Sequence, residues 1–225
     1  MTTLELVAFD IETTGFGVDD QVTIAGFALP LGVWIACQTG GREPQDIEAA
    51  LRKRIDTHVQ VSTHDSERAL FHAVDRFAER RLRGEDVLLT AYNGETWNAG
   101  FDLPFLRTRA SKMNVDWPLR DLPYADLMPV VTQRFNTTRA GDGDQSGQTD
   151  LEGVYETLGD GSYDDHDPFA DSGEAVTAFE EGRFVELVLH NVADVLRTRQ
   201  LGRLAQRYCS KSDFQLKSLT PIRDD

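Results

Sequence analysis

Cysteine is nearly absent. Cys37 and Cys209 lie far apart and in no metal-ligand spacing, which argues against a disulfide framework or a structural zinc site. Long apolar runs are missing too. Nothing approaches the roughly 20 residues that a membrane-spanning helix needs, and the opening MTTLELVAFD lacks the basic-then-apolar layout of a secretory signal. These absences predict a soluble, cytoplasmic protein with no membrane partner. Positive charge is scarce as well, with 23 Lys+Arg against 38 Asp+Glu and a formal net charge of -15. At ordinary salt such a surface is repelled by phosphate backbones, so a simple basic nucleic-acid binder is excluded.

Lysine is the scarcest charged residue, at Lys53, Lys112, Lys211 and Lys217 only. Many acids with little lysine resembles the composition of salt-in halophile proteins, where molar salt screens repulsion over about 3 Å. An unusually acidic protein from ordinary surroundings would have the same composition. What is present suffices for a globular fold: 225 residues, 40% of them hydrophobic, fit one domain. A chain of that size buries roughly 70% of its unfolded surface.

Residues 4–9 form a short apolar run that stops at Asp10. A Gly-bearing turn over 13–20 follows, then strand-like runs at 22–29 and 33–38 joined through Pro30-Leu31-Gly32. Short links between three strands predict an antiparallel meander. Helical periodicity covers 44–55, and Asp65 or Ser66 is placed to cap a second helix carrying Leu70, Val74 and Phe77. Residues 87–92 read as a strand parallel to the first, because a helical crossover separates them. Helices are predicted over 102–113, with Pro104 in the first turn, over 124–135, 174–181 and 183–208. The fold class is therefore α/β: three antiparallel strands, then parallel strands, with flanking helices. One domain is expected over 1–208, with acidic loops at 137–150 and 159–173 and a tail at 209–225.

Three groups of acids stand out. In Phe9-Asp10-Ile11-Glu12-Thr13-Thr14-Gly15, strand alternation sends Asp10 and Glu12 to one face. Two carboxylates side by side call for a cation between them, and hard divalent metals take oxygen ligands. Two exposed acids at a strand end would look the same, but Thr13, Thr14 and Gly15 would also let a substrate backbone approach closely. Asp102 follows Tyr92-Asn93-Gly94 and its loop at a strand-to-helix junction. There it could cap the helix or present a carboxylate at a pocket mouth. Finally, His190 and Asp194 share a helix face one turn apart. They are either a weak surface pair or, with Leu187, Leu189 and Val195 around them, buried polar groups in need of partners.

Taken in this order, Asp-x-Glu on a first strand, a middle Asp and a late Asp on a helix, the chain resembles the DEDD 3′–5′ exonuclease superfamily of the ribonuclease H-like fold. The wording Tyr92-Asn93-Gly94…Phe101-Asp102 and His190-Asn191-x-x-Asp194 is similar to a branch of predicted bacterial and archaeal exonucleases. The best-known branches carry Tyr four residues before the late Asp, or His five before it. Here His190 occupies the four-before position and Leu189 the five-before one.

The resemblance implies hydrolysis of terminal phosphodiesters from the 3′ end of a DNA or RNA strand, with two Mg2+ or Mn2+ ions as cofactors. Asp10, Glu12, Asp102 and Asp194 are the implied metal ligands. His190 is the implied general base or water-orienting group. Thr13, Thr14, Gly15, Phe16, Tyr92 and Asn93, and less firmly Trp97, are placed to contact terminal nucleotides. Arg107 and Arg109 could reach phosphate or simply face solvent. Asp164-Asp165-His166-Asp167 could bind a cation or be a solvated acidic loop. A noncatalytic nucleic-acid-binding or protein-interaction module on the same fold is the competing expectation, and such a module would be expected to lack one or more of the four acids.

Overall fold

The computed structural model describes residues 4–95, 101–139, 147–171 and 173–222. Strands β1 (Glu5–Thr13), β2 (Val22–Leu29) and β3 (Gly32–Gln38) form the expected antiparallel meander. They are followed by α1 (Ile47–Leu51), β4 (Val59–His64), α2 (Glu67–Arg81), β5 (Val87–Ala91) and α3 (Asp102–Met113). Next come β6 (Pro123–Asp126), α4 (Leu127–Arg134), α5 (Leu151–Leu158), α6 (Gly173–Glu181), α7 (Phe184–Tyr208) and β7 (Lys217–Ser218). The sheet order is β4-β3-β2-β1-β5-β6-β7. β1 pairs parallel with β5, as the intervening helix required, and β5 pairs parallel with β6.

Alternation along β1 decides what reaches the site. Val7, Phe9 and Ile11 enter a core with Leu70, Val74 and Phe77 of α2 and Leu103 and Leu106 of α3. Ala8 enters the core on the opposite face, with Val188, Val192 and Val195 of α7. Asp10 and Glu12 continue that second set, so the strand aims both acids at α7. A third core cluster, on the α7 side, joins α4, α5 and the end of α7 through Leu127, Val154, Tyr155 and Leu201.

Several elements differ from the sequence expectation. β1 does not stop at Asp10 but runs to Thr13, because β2 pairs with it through Asp10↔Gly26 and Glu12↔Ile24. The expected 44–55 helix contracts to α1, whose N-terminal N–H of Ala49 bonds the Asp46 carboxylate at 3.0 Å. The chain then forms β4, parallel to β3, a strand that periodicity did not reveal. Ser66, one of the two candidate caps, accepts from Ala69 N–H at the start of α2. Residues 123–126 are a strand rather than the start of a helix. Tyr124 and Ala125 are buried there, and a four-residue strand is too short to show a period.

The segment 209–225, expected as a tail, is part of the fold as far as residue 222. Its Phe214 is buried in the third cluster, and β7 pairs antiparallel with β6. The second acidic loop contains a 3-10 turn at Asp164–His166 and is partly packed, as described below. The centre of the first acidic loop, 140–146, lies outside the described residues.

Candidate metal centre

Asp10 and Glu12 leave β1 on the α7 side, and Asn191 of α7 lies between them. Its Nδ2 donates to Asp10 Oδ2 at 2.8 Å and to Glu12 Oε1 at 3.2 Å. Asn191 is fully buried, and its Oδ1 has no hydrogen-bond partner among the described residues. The close approach of helix to strand depends on Gly26, opposite Asp10 on β2. A Cβ there would lie 1.9 Å from Asn191 Oδ1.

Asp102 reaches the same place from the other side of the sheet. β1 and β5 pair only as far as Ala8↔Thr90, so beyond that point β1 has no parallel neighbour. The backbone N–H groups of Ile11 and of Asp102 itself favour the charged form of the Asp102 carboxylate, against its burial. Asp102 is not the helix cap. That position belongs to Phe101, which makes no side-chain cap bond. The carboxylate lies against Gly94, where a Cβ would come within 2.6 Å of Asp102 Oδ2.

The loop bearing Gly94 is shaped by Asp126. Its carboxylate accepts from the N–H groups of Asn93 (2.9 Å), Glu95 (3.0 Å) and Met128 (3.1 Å). Asn93 takes the left-handed conformation, φ 58°, that this turn needs.

His190 and Asp194 are not an isolated surface pair. The His190 Nδ1 lies 2.8 Å from Asp167 Oδ1, and its Nε2 lies 3.8 Å from Asp194 Oδ2. An ionised carboxylate only accepts, so Nδ1 carries the proton in this contact. Arg197, only 3% exposed, donates from Nη1 to Asp167 Oδ2 and Asp194 Oδ1, each at 3.1 Å. Asp167 was expected in a solvated loop. Instead it joins the imidazole to a buried guanidinium.

The electrostatics show an excess of negative charge. Burial pushes Asp10 and Asp102 well above the usual carboxylate range, and neighbouring acids push them further. Burial likewise takes Glu12 up to about 7, partly opposed by His190. Asp194 is raised by burial and held back by His190 and Arg197. Burial works against the charged form of His190, but the Asp167 hydrogen bond and the charges of Glu12 and Asp194 outweigh it and lift it to about 10. Glu12, His190 and Asp194 each offer one donor atom within 4.8 Å of the others. Oxygen donors with one imidazole suit a hard or borderline divalent cation.

No family model and no curated protein matches this chain.

The residues predicted to contact substrate are partly committed to other bonds. Thr13 Oγ1 donates to Gly15 O at 2.8 Å, and Thr14 Oγ1 donates to Asp20 Oδ1 at 3.1 Å. These hydroxyls hold the β1–β2 turn, where the Asp20 carboxylate fills the space beside Gly15. Phe16 is 73% exposed and meets Phe101 edge-on at 5.1 Å, one residue from Asp102. It is the predicted aromatic best placed for a base. Tyr92 is anchored instead, its hydroxyl donating to Thr149 O at 2.7 Å. Trp97 lies outside the described residues.

The two arginines of α3 differ, Arg107 being exposed and Arg109 buried. Arg109 is buried in a two-point ion pair with Glu67 and also donates to Val18 O, while Arg107 lies over the Trp117 ring. Sequence reasoning gave no role to Asn191, Asp126 or Arg197, and named Asp167 only within an acidic run. For Asn191 a signal existed, since a polar residue between His190 and Val192 on an apolar helix needs a partner. The other three make their contacts through the fold alone.

Proposed function

We propose that this protein is a metal-dependent 3′–5′ exonuclease of the DEDD superfamily on a ribonuclease H-like fold, acting on single-stranded DNA or RNA in a salt-rich cytoplasm. One observation carries the reading. Asp10, Glu12, Asp102 and Asp194, from three different elements, converge in one buried region with more negative charge than His190 and Arg197 can balance. Cations relieve that imbalance, and the donor set fits them. The meander followed by parallel strands agrees with the expected fold, and all four acids are retained.

Asp10, Glu12, Asp102 and Asp194 would hold two Mg2+ or Mn2+ ions, which when bound polarise the phosphodiester and acidify water. Asn191 keeps Asp10 and Glu12 at fixed separation. Asp167 fixes His190 with its proton on Nδ1 and turns Nε2 toward Glu12 and Asp194; the charges of those two acids help lift the imidazole to about 10, and cations bound to them would lower it and free Nε2 to take a proton from the attacking water. Phe16 and Phe101 provide an aromatic edge for the terminal base.

The test is purified protein with Mn2+ at high salt, given 5′-labelled single-stranded DNA and RNA. A ladder shortening from the 3′ end is expected, and Asp10→Ala should abolish it. Folded wild-type protein that yields no metal-dependent product from either strand would sink the reading.

A further inference from the structure

A cleft of about 520 Å³ opens on the α2 face of the sheet, near the edge strand β4 and the starts of β3 and β4. The metal centre lies on the α7 face at the far end of β1. Across the sheet, three strand spacings, about 15 Å, separate β1 from β4. Arg76, Arg80 and Arg81 line the cleft with Trp34, Gln60 and Ser62.

Charge on α2 is segregated. All three of its acids are engaged elsewhere: Glu67 with Arg109, Asp75 with Arg83 and Arg120, and Glu79 with Arg83. Arg76, Arg80 and Arg81 are exposed and form no ion pair among the described residues. On a chain of net charge -15, three exposed guanidinium groups with no ion pair among the described residues gather around this one cleft. The field is felt nearby: burial and then the Arg76 charge keep His64 below its ordinary value. Half-buried Trp34 stacks flat on Phe77 at 4.1 Å and gives the cleft an aromatic wall.

We propose that this cleft is a second nucleic-acid contact, in which Arg76, Arg80 and Arg81 take the phosphates of a single strand alongside Trp34. Guanidinium groups beside an aromatic ring match a strand that carries phosphates and bases together. The substrate assignment rests on the exonuclease reading, in which the docked segment is the upstream part of the strand being shortened. On an acidic protein such a site would hold a long substrate that the rest of the surface repels.

The test measures binding of a labelled single-stranded oligonucleotide to the full chain in EDTA, across a salt series. It reads docking whether or not the metal centre hydrolyses anything, and hydrolysis of a dinucleotide by wild type tests the centre separately. The triple variant R76A/R80A/R81A should bind at least tenfold more weakly. Its salt slope should fall by about 2, the loss expected for three single-strand phosphate contacts. Its dinucleotide hydrolysis should be unchanged. Equal affinity and slope in the triple variant would overturn the proposal. So would an equal loss from R203A/R207A on α7, which would make the effect one of net charge. Competition by polyglutamate as strong as by oligonucleotide would overturn the nucleic-acid assignment in favour of an acidic protein partner.

Discussion

Asn191 and Gly26 act as one unit: the amide reaches both acids only because the strand facing it has no side chain at that point. In Gly26→Ala the new methyl would overlap Asn191 Oδ1 at 1.9 Å, and α7 or the amide must move. We expect a loss of about 1–3 kcal/mol, as for overpacking elsewhere, and weaker Mn2+ binding. Thermal melting and calorimetric titration check the two effects. The Asp167–His190 contact makes a separate prediction. His190→Ala should slow turnover by roughly 10²–10⁴-fold, the range for a lost general base. Asp167→Asn should slow it less while leaving Mn2+ affinity near wild type, because it removes the carboxylate holding the Nδ1 proton rather than the imidazole. Wild-type turnover in Asp167→Asn would reduce that contact to packing.

At the scale of elements, the C-terminal residues past Tyr208 are the clearest case for measurement. Phe214 is buried beside Leu201 and Ala205 of α7, so Phe214→Ala should cost about 3 kcal/mol or more, seen in denaturant melts. A residue in a free tail would cost no more than about 0.5 kcal/mol. What the sequence revealed follows the same physics. β1, β2, β3, β5, α2, α3 and α7 were legible because each has a long apolar run or a sustained period. β6 and β7 were not, being four and two residues long. β4 carries Gln60, Ser62 and His64 on one face and is only six residues long, so its alternation resembled a loop. In the candidate site, strand spacing marked Asp10 and Glu12 and helix spacing marked His190 and Asp194, while Asp102 was singled out by the resemblance. Asp126, Asp167 and Arg197 were not, because their partners come from distant elements and no local pattern marks them.

For the whole molecule, the acids set an unusual response to pH. Each of the four has a folded value above its ordinary one, 3.8 for Asp and 4.5 for Glu. Such groups favour the folded state fully below the ordinary value, and that contribution disappears as pH rises through the folded one. Glu12 reaches about 7. His190, raised from 6.5 to about 10, has the same sign at higher pH. In EDTA, the melting temperature should therefore be higher near pH 5.5 than near pH 8.5. Mn2+ should raise it more at the alkaline end, where its ligands are already deprotonated. Equal metal-induced shifts at both pH values would count against a carboxylate metal centre. Activity should also survive salt that would disable a basic nuclease, since bound cations rather than surface lysines would meet the phosphate.

The bond from Asn191 to Asp10 joins residues 181 apart in sequence. During synthesis the first acids of the site emerge early and wait for nearly the whole chain before their partners on α7 exist. Fragments ending before α7 would therefore lack Asn191, His190 and Asp194 and carry an incomplete centre. Closing so long a loop is entropically slow, so assembly of the centre belongs among the last events of folding.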